Sequence, residues 1–320
     1  MESGSILESG HECESVFVLL LPPRGTALGE GELEPQAGEQ RRPLDLRPSI
    51  GDLARMDTMK NGLVCYGANE GIGTIELTNP PANAYSHEMM RDLDDAILAA
   101  RFDESVAVIV LRGAGEKFFC AGADIAMLQR VTLTYKYQFC LHANETLLRL
   151  EQTPKLVIAA IHGHCVGGGL EIAMAADMRV VARGTGKLGL PEVALGVLPG
   201  TGGTQRMARL VGKARAIELM TTGATIDADE ALRVGLVTQV WEKDGFWARV
   251  TDYAKTFCPP ARASMAVGLI KRAVQTGAEM PLEQGLSLER ELQQRLFESA
   301  DAKEGIGAYV EKRKPSFSGR

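Results

Sequence analysis

The sequence has no surplus of positive charge. Its 320 residues include 35 Lys and Arg against 41 Asp and Glu, which gives a formal net charge of −6. Residues 1–57 contain 11 acidic and 5 basic side chains, so they carry the whole imbalance, and residues 58–320 are formally neutral. Non-specific binding to nucleic acid or to an anionic membrane requires a basic surface. We therefore expect neither nucleic acid nor a membrane as a partner.

Cysteine pairs, metal-ligand spacings and leader segments are also missing. The six cysteines lie far apart without a C-x-x-C pair, so we expect reduced thiols in a cytoplasmic protein. His162 and His164 have no further ligand nearby in the sequence, so we interpret them as structural histidines and expect no metal site. The only apolar run in residues 1–57, at 16–21, is too short and too acidic in its surroundings for a secretory or mitochondrial leader.

We expect residues 1–57 to be a disordered acidic extension. From residue 24 onward they are rich in Pro, Gly, Glu and Arg without a sustained period, a composition that buries too little apolar surface to order itself. Met56 and Met59 stand just before the first strand pattern, so a start codon placed too far upstream explains the segment equally well.

From residue 60, strand patterns alternate with helical ones. The β-prone runs 63–66 and 72–77 flank a glycine-containing turn, which predicts a hairpin. Ser86 is placed to cap a helix over 86–100, in which apolar residues recur every three or four positions. Three continuous apolar runs are typical of strands buried on both faces: 106–111, 156–161 and 178–182. The alternation predicts an α/β fold.

Glycine accounts for 35 residues, and the glycines cluster where the sequence suggests chemistry. Residues 117–125 form a small-residue turn between a strand and a helix, in which backbone N–H groups can face a ligand. Gly167, Gly168 and Gly169 begin another helix, where unpaired N–H groups suit an oxygen that gains negative charge. Glu171 falls in the first turn of that helix, beside the glycines.

A second candidate carboxylate lies in the stretch 188–206. Pro191 can occupy the first position of a helical turn, which places Glu192 next, among apolar residues. Such surroundings raise the pKa of a carboxyl group, as a general acid requires. Taken singly, Glu171 or Glu192 is better explained as a favourable partner of a helix dipole.

The glycine stretches lack the signatures of nucleotide-binding loops. Neither 167–169 nor 200–203 is followed by Lys-Ser or Lys-Thr, which a phosphate-binding P-loop requires. The dinucleotide pattern G-x-G-x-x-G is absent from both stretches. The glycine stretches therefore predict neither of these nucleotide-binding loops.

Four segments, taken together, resemble the crotonase superfamily and, within it, the enoyl-CoA hydratases. They stand in the family's order and spacing, and the likeness runs from about residue 60 to the C-terminus. The segments are 121–125 (AGADI), 167–171 (GGGLE), 191–192 (PE) and 198–206 (LPGTGGTQR). The run 305–317 also looks like the family's C-terminal signature.

The resemblance implies a crotonase (ClpP-like) spiral of ββα units with two stacked layers of sheet. The spiral core with the CoA site would occupy residues 58–255. Residues 256–320 would form a C-terminal helical region used in trimerisation. Members of the family commonly form trimers, or hexamers made of two trimers, so we expect a homotrimer or a hexamer.

Carried over by position, the resemblance assigns the oxyanion hole to the backbone N–H groups of Ala123 and Gly168. Glu171 would take a proton as water attacks the β-carbon, and Glu192 would deliver a proton to the α-carbon. The implied reaction is the reversible syn hydration of a trans-2-enoyl-CoA to a 3-hydroxyacyl-CoA, as in the β-oxidation of fatty acids. Coenzyme A is part of the substrate, so no separate cofactor is implied.

The resemblance also implies contacts with CoA and with the acyl chain. The backbone of Ala121 matches a position that contacts the CoA adenine, and Lys117 and Lys312 match basic positions near the CoA phosphates. Tyr309 matches an aromatic residue that lines the acyl pocket, contributed within the subunit or across a subunit contact. Tyr85 stands near the pocket entrance, where a small aliphatic residue is usual, which argues against straight-chain fatty acyl groups and leaves short or branched ones open.

The presence of both glutamates favours hydration among the reactions of the superfamily. Isomerases of the superfamily usually keep one carboxylate at these positions, so an isomerase or a pathway-specific acyl-CoA dehydratase is the alternative. An RNA-binding or scaffold protein on the same fold is the alternative of another class. Against RNA binding, the helical region 91–101 has three acids and two bases, which would repel phosphates.

Overall fold

A computed structural model of the protein describes residues 56–320. The predicted N-terminal extension therefore lies outside the described residues, except for Met56 and Asp57. Asp57 already belongs to a strand, so the described fold begins one residue before the predicted boundary at residue 58.

The part of the chain from residue 56 onward has eleven strands, eleven α-helices and one 3₁₀ helix, Glu192–Leu195. The strands are β1 (Asp57–Thr58), β2 (Val64–Asn69), β3 (Ile72–Leu77), β4 (Val108–Gly113), β5 (Phe118–Cys120), β6 (Leu156–Ile161), β7 (His164–Val166), β8 (Met178–Ala182), β9 (Leu188–Gly189), β10 (Thr225–Ile226) and β11 (Gln239–Trp241). The helices are α1 (His87–Phe102), α2 (Ile125–Arg130), α3 (Leu133–Glu151), α4 (Gly168–Met174), α5 (Gly203–Val211), α6 (Lys213–Thr222), α7 (Ala228–Arg233), α8 (Phe246–Lys255), α9 (Ser264–Gly277), α10 (Leu282–Phe297) and α11 (Ala300–Val310).

The strands form two sheets. The larger sheet has the order β1-β2-β3-β4-β6-β8-β11, with antiparallel pairing from β1 to β3 and parallel pairing from β3 to β11. The smaller sheet has the order β10-β9-β7-β5, in which β9, β7 and β5 are parallel. The predicted hairpin is the pair β2–β3, and the α/β class with two layers of sheet is confirmed.

The central strands β4 and β6 of the larger sheet are buried on both faces. In β4, Ile109 and Leu111 lie in the main core, whereas Val108 and Val110 lie in a second core. Helix α8 covers that second core with Phe246. Because alternate side chains of β4 point to opposite faces, a strand covered on both sides is mainly apolar, which explains the apolar runs. Arg112 in β4 and Arg179 in β8 are the buried exceptions in these two strands.

Helix α1 packs against the main core as its apolar period predicts. The Ser86 hydroxyl accepts a hydrogen bond from the Met89 N–H at 3.3 Å, so the predicted N-cap is confirmed. The apolar residues of its buried face are Met89, Met90, Leu93, Ala96, Ile97 and Ala100.

A buried ion pair ties the C-terminal helices to the larger sheet. Lys271 of α9 lies 2.8 Å from Asp177, measured from Nζ to Oδ2, and the two side chains are 4% and 10% exposed. Asp177, just before β8, also accepts a hydrogen bond from the Val157 N–H of β6 at 2.7 Å.

The helices α10 and α11, which follow α9, expose several large apolar side chains: Leu282, Leu286, Phe297, Ile306, Tyr309 and Val310. Among the helices of residues 56–320, none combines the length and hydropathy needed to cross a bilayer.

Candidate active site

Three stretches singled out in the sequence leave the same edge of the smaller sheet. The chain continues from β5 into Ala121, from β7 into Gly167 and from β9 into Leu190. Because these strands are parallel, their carboxyl ends lie together, where α/β proteins commonly bind ligands. The fold thus brings together segments that are far apart in the sequence.

A short bridge sets the orientation of the backbone at Ala123. The Tyr85 N–H donates to the Gly122 carbonyl at 2.9 Å, and the Tyr85 carbonyl accepts from the Asp124 N–H at 3.0 Å. Tyr85 and Ala123 are therefore partners in a parallel bridge. In such a bridge the flanking residues make the hydrogen bonds, so the Ala123 N–H points away from Tyr85.

The second backbone N–H group belongs to Gly168. Gly168 is the first residue of α4, so its N–H has no carbonyl of its own helix to receive it. Gly167 has a φ of 56°, a conformation that glycine adopts without steric cost. A β-carbon at Gly122 would lie 3.0 Å from the Gly168 nitrogen, so the two backbone segments are in contact.

Glu171 is buried and held by two backbone groups. Its carboxyl oxygen Oε1 accepts hydrogen bonds from the N–H groups of Thr201 and Gly203, both at 2.7 Å. Gly203 begins α5, so the carboxylate also meets the positive end of a helix. Burial raises the pKa of Glu171, while these hydrogen bonds and the charge of Arg206 act to lower it. These contacts favour the ionised form against the cost of burial.

Glu192 has the opposite surroundings. Its oxygen Oε2 is buried without a hydrogen-bond partner among the described residues. Burial, followed by the negative charge of Glu171, raises the pKa of Glu192 to about 7. The apolar residues that flank Glu192 in the sequence predict this increase in its pKa. Pro191 precedes the 3₁₀ turn, whereas the sequence predicts it at the first position of the turn. A β-carbon at Gly167 would lie 3.1 Å from Glu192 Oε1, which places Glu192 over the glycine loop.

Together these groups can perform acid–base chemistry beside an anion site. Glu171 is held by two backbone N–H groups, whereas Glu192 Oε2 has no partner among the described residues. Two carboxyl groups in such different surroundings can serve as a general base and a general acid. The N–H groups of Ala123 and Gly168 lie in adjoining segments and can stabilise a developing oxyanion.

The residues expected to contact CoA and the acyl chain are more scattered. Ala121 lies next to the site, because its carbonyl oxygen would be 3.9 Å from a β-carbon at Gly167. Lys117 and Lys312 are exposed. Tyr309 is 85% exposed on α11 and takes no part in the contacts that build the site within one chain.

Tyr85 does not stand at an entrance, so that expectation is wrong. It is 2% exposed, because its ring stacks on Phe139 with a centroid distance of 5.5 Å. Its hydroxyl oxygen lies 2.9 Å from Thr201 Oγ1. Tyr85 is therefore part of the buried wall of the site.

The sequence gives no role to the two residues that hold Glu171. Thr201 and Gly203 belong to the segment 198–206, which we test against nucleotide-binding loops and include in the family resemblance, without a role for either residue. The glycines just before α5 are the feature of the sequence that indicates this role, because a glycine-rich turn at a helix start is suited to binding an anion. Here the anion is a side chain of the protein itself.

Both histidines of the apolar strand region have partners within the fold. His162 Nε2 lies 2.8 Å from the Gly115 carbonyl oxygen, and burial lowers the pKa of His162 to about 4. The Lys187 N–H donates to His164 Nδ1 at 3.2 Å. Within residues 56–320, no cluster of three His, Cys, Asp or Glu side chains is placed to hold a metal ion, and the five cysteines are free thiols.

Residues 67–320 match the family model described as enoyl-CoA hydratase/isomerase. Crotonyl-CoA hydratase of Syntrophomonas wolfei is 36% identical over 249 residues, which are 78% of this chain and 95% of that protein. Short-chain-enoyl-CoA hydratase of Clostridium acetobutylicum is 38% identical over 244 residues, which are 76% of this chain and 92% of that protein. The crystal structure of an enoyl-CoA hydratase from Geobacillus kaustophilus superposes with a TM-score of 0.80 at 43% identity, covering 83% of this chain and 100% of that one.

Proposed function

The chain belongs to the enoyl-CoA hydratase/isomerase family, and from that premise we propose that it reversibly hydrates a trans-2-enoyl-CoA to a 3-hydroxyacyl-CoA. The pairing of Glu171 with Glu192 carries the proposal. One carboxyl group accepts hydrogen bonds from two backbone N–H groups, and the other is buried with a pKa raised to about 7. The relatives whose names specify hydration of a crotonyl- or short-chain enoyl-CoA support it.

The backbone N–H groups of Ala123 and Gly168 bind the thioester carbonyl oxygen in this mechanism. They polarise the conjugated double bond and stabilise the enolate that forms when the β-carbon is attacked. A preorganised donor of this kind contributes about 3 to 4 kcal/mol to transition-state stabilisation. Without such donors the enolate of a thioester is too basic to form readily.

The two glutamates move the protons. Glu171 removes a proton from water as the water oxygen bonds to the β-carbon, and the electron pair of the double bond moves to the carbonyl oxygen. Glu192 then gives its proton to the α-carbon as the carbonyl is restored. Proton transfer from Glu171 to Glu192 returns the site to its starting state. Each acid or base step contributes roughly 10² to 10⁴ in rate.

We extend the proposal to the rest of the substrate. The Ala121 backbone contacts the CoA adenine, and Lys117 and Lys312 lie near the CoA phosphates. Tyr309 reaches the acyl pocket of a neighbouring subunit in a homotrimer or a hexamer, an arrangement supported by its 85% exposure in the single chain. The cytoplasm is the proposed location, supported by the free thiols.

A short acyl chain is the proposed preference. The stacked rings of Tyr85 and Phe139 occupy space beside Gly168, where the reacting end of the substrate would lie. The names of the two relatives, which specify crotonyl-CoA and short-chain enoyl-CoA, support the same preference.

An absorbance assay with a panel of enoyl-CoA thioesters tests the proposal. We expect loss of the conjugated absorbance with the wild-type protein, fastest for the shortest acyl chains. Glu171→Gln and Glu192→Gln should each lower kcat by at least about 100-fold, because each removes a proton-transfer group without changing size. The exposed Glu104→Gln is the matched control and should keep full activity.

Full activity in Glu171→Gln or Glu192→Gln would contradict the two-carboxylate mechanism. Isomerisation of a 3-enoyl-CoA without hydration would instead support the isomerase alternative. Absence of turnover on every thioester, together with binding of RNA or a protein, would favour the alternative of another class.

A further inference from the structure

Tyr85 contacts three parts of the candidate site: the segment of Ala123, the glycine at the start of α4, and Thr201. Its backbone makes both hydrogen bonds of the bridge that orients Ala123. Its ring lies so close to Gly168 that a β-carbon there would overlap the ring atoms Cε1 and Oη. Phe139 stacks on the ring with an interplanar angle of 25° and holds it in place.

The Tyr85 hydroxyl leads to Glu171 through one residue. Tyr85 Oη lies 2.9 Å from Thr201 Oγ1 in a buried environment, and Thr201 is 2% exposed. The Thr201 N–H donates to Glu171 Oε1 at 2.7 Å.

The hydroxyl groups of Tyr85 and Thr201 bond to each other, and either of them can donate. The Thr201 backbone N–H then donates to Glu171 Oε1. Burial raises the pKa of Tyr85 well above its usual value, so the phenol stays neutral. Hydrogen bonds linked in this way strengthen one another in a buried environment.

Other titratable or charged groups also face Glu171. Glu192 approaches from the 3₁₀ turn, Cys140 from α3 and Arg206 from α5. Arg206 favours the ionised form of Glu171, Glu192 opposes it when charged, and burial keeps the Cys140 thiol neutral by raising its pKa. Tyr85 differs from all three because it acts through the hydroxyl of Thr201.

We propose that Tyr85 is a positioning residue of this active site. Its hydroxyl bonds to the Thr201 hydroxyl and so fixes the residue whose backbone N–H holds and orients Glu171, while its ring supports Gly168. The inference rests on the proposed function, in which Glu171 is the base. The base step depends on the ionised form of Glu171, so the hydroxyl of Tyr85 affects kcat more than KM.

Tyr85→Phe tests the inference, because it removes the hydroxyl and keeps the ring that supports Gly168. We expect kcat to fall about tenfold, the equivalent of one lost hydrogen bond to a charged network, with KM little changed. The Glu171 carboxylate loses stabilisation, so its pKa rises and the acidic limb of the pH profile of kcat/KM moves to higher pH. A merely structural role of Tyr85 would not move that limb.

Tyr66→Phe is the matched control. The Tyr66 hydroxyl also donates one partly buried hydrogen bond, to Asp103 at 2.9 Å, but Tyr66 lies outside the contacts of the site. Tyr66→Phe should leave kcat and the pH profile unchanged.

Thr201 supplies a second test, because its hydroxyl bonds to Tyr85 and its backbone N–H bonds to Glu171. Thr201→Val should reproduce the shift of the acidic limb, and Thr201→Ser, which keeps the hydroxyl, should restore the wild-type profile. The double variant Tyr85→Phe/Thr201→Val should be no worse than Thr201→Val alone, because both changes break the same chain of hydrogen bonds. If Tyr85→Phe does not fold, the pH profiles of the two Thr201 variants test the inference. A shifted acidic limb in Thr201→Val but not in Thr201→Ser would support it, and identical profiles would contradict it.

An unchanged pH profile in Tyr85→Phe, or additive losses in the double variant, would overturn the inference while the hydratase function stands. If the wild-type protein hydrates no thioester, the proposed function fails instead. The effect of Tyr85 on Glu171 is then measured as the pKa of Glu171, by NMR of its ¹³C-labelled carboxyl group. A higher Glu171 pKa in Tyr85→Phe would support the inference, and an unchanged pKa would contradict it.

Discussion

Two glutamates of the same site differ in what surrounds them. Glu171 has two backbone N–H groups on one oxygen and lies at the start of a helix. Glu192 has one oxygen that is buried and without a partner among the described residues. Hydrogen bonds favour the charged form and burial alone disfavours it, so these surroundings suit the proposed roles of Glu171 as base and Glu192 as acid.

The pKa of Glu192 predicts how activity depends on pH. In the proposed mechanism Glu192 must carry a proton, and its pKa is raised to about 7 by burial and by the charge of Glu171. As pH rises through that value Glu192 ionises, so kcat/KM should fall on the basic side. On the acidic side kcat/KM should fall as Glu171 becomes protonated.

Initial rates on crotonyl-CoA measured across a range of pH check this prediction. In Glu192→Gln the residual activity should lose the basic limb, because the group that titrates there is gone. A basic limb that persists in that variant would assign it to another group.

The sequence identifies the reacting residues better than the residues that support them. Glu171, Glu192 and the glycines belong to short segments of fixed spacing, so the resemblance finds them. Tyr85 is misplaced because its partner Thr201 lies 116 positions away. Contacts over such a separation depend on how elements pack, which no local pattern contains.

At the scale of elements, burial pattern and helix capping predict most of the fold. Strands β6 and β8 begin and end where the apolar runs do, at Leu156–Ile161 and Met178–Ala182. The Ser86 cap is correct because an N-cap is a local hydrogen bond. Pro191 is different: the turn after it is a single 3₁₀ turn closed by Gly196 in a left-handed conformation. Its neighbours in the folded protein, and not its own sequence, decide that geometry.

The ion pair between α9 and the larger sheet should be important for stability. Lys271→Met removes the charge and leaves Asp177 buried with an uncompensated carboxylate. Breaking a buried pair on one side costs about 3 to 5 kcal/mol, so the free energy of unfolding, measured with urea, should fall by about that amount.

Arg209→Ala is the control for that measurement. Arg209 pairs with Glu279 just beyond α9, but both side chains are more than half exposed. Water replaces such a pair at little cost, so the loss of stability should be much smaller. Equal losses in the two variants would contradict the importance of burial.

At the scale of the whole molecule, α10 and α11 present apolar side chains that one chain leaves uncovered. Phe297 is 55% exposed, Ile306 57% and Tyr309 85%. Apolar surface of this kind marks contact sites. We therefore expect a solution mass of three or six times 34.4 kDa by light scattering, and a smaller species for Ile306→Asp. A monomeric wild-type protein would contradict the proposed assembly.

Residues 1–55 should be dispensable for turnover and assembly. Every residue of the candidate site lies in residues 56–320. The preceding segment is acidic, and the rest of the chain has no surplus of basic residues to bind it. A variant without residues 2–55 should keep the kcat, KM and solution mass of the full chain. A change in any of the three would assign a role to the segment.

The sequence by itself determined the α/β class, the double burial of the central strands and the family, and it singled out the two glutamates for the proposed mechanism. Each of these depends on a local period, a local cap or a motif of fixed spacing. The tertiary structure alone decided that Thr201 and Gly203 hold Glu171, that Tyr85 lies in the buried wall and that Glu192 Oε2 has no partner among the described residues. Burial and hydrogen bonding set these properties, and both depend on segments that meet only when the parallel strands align.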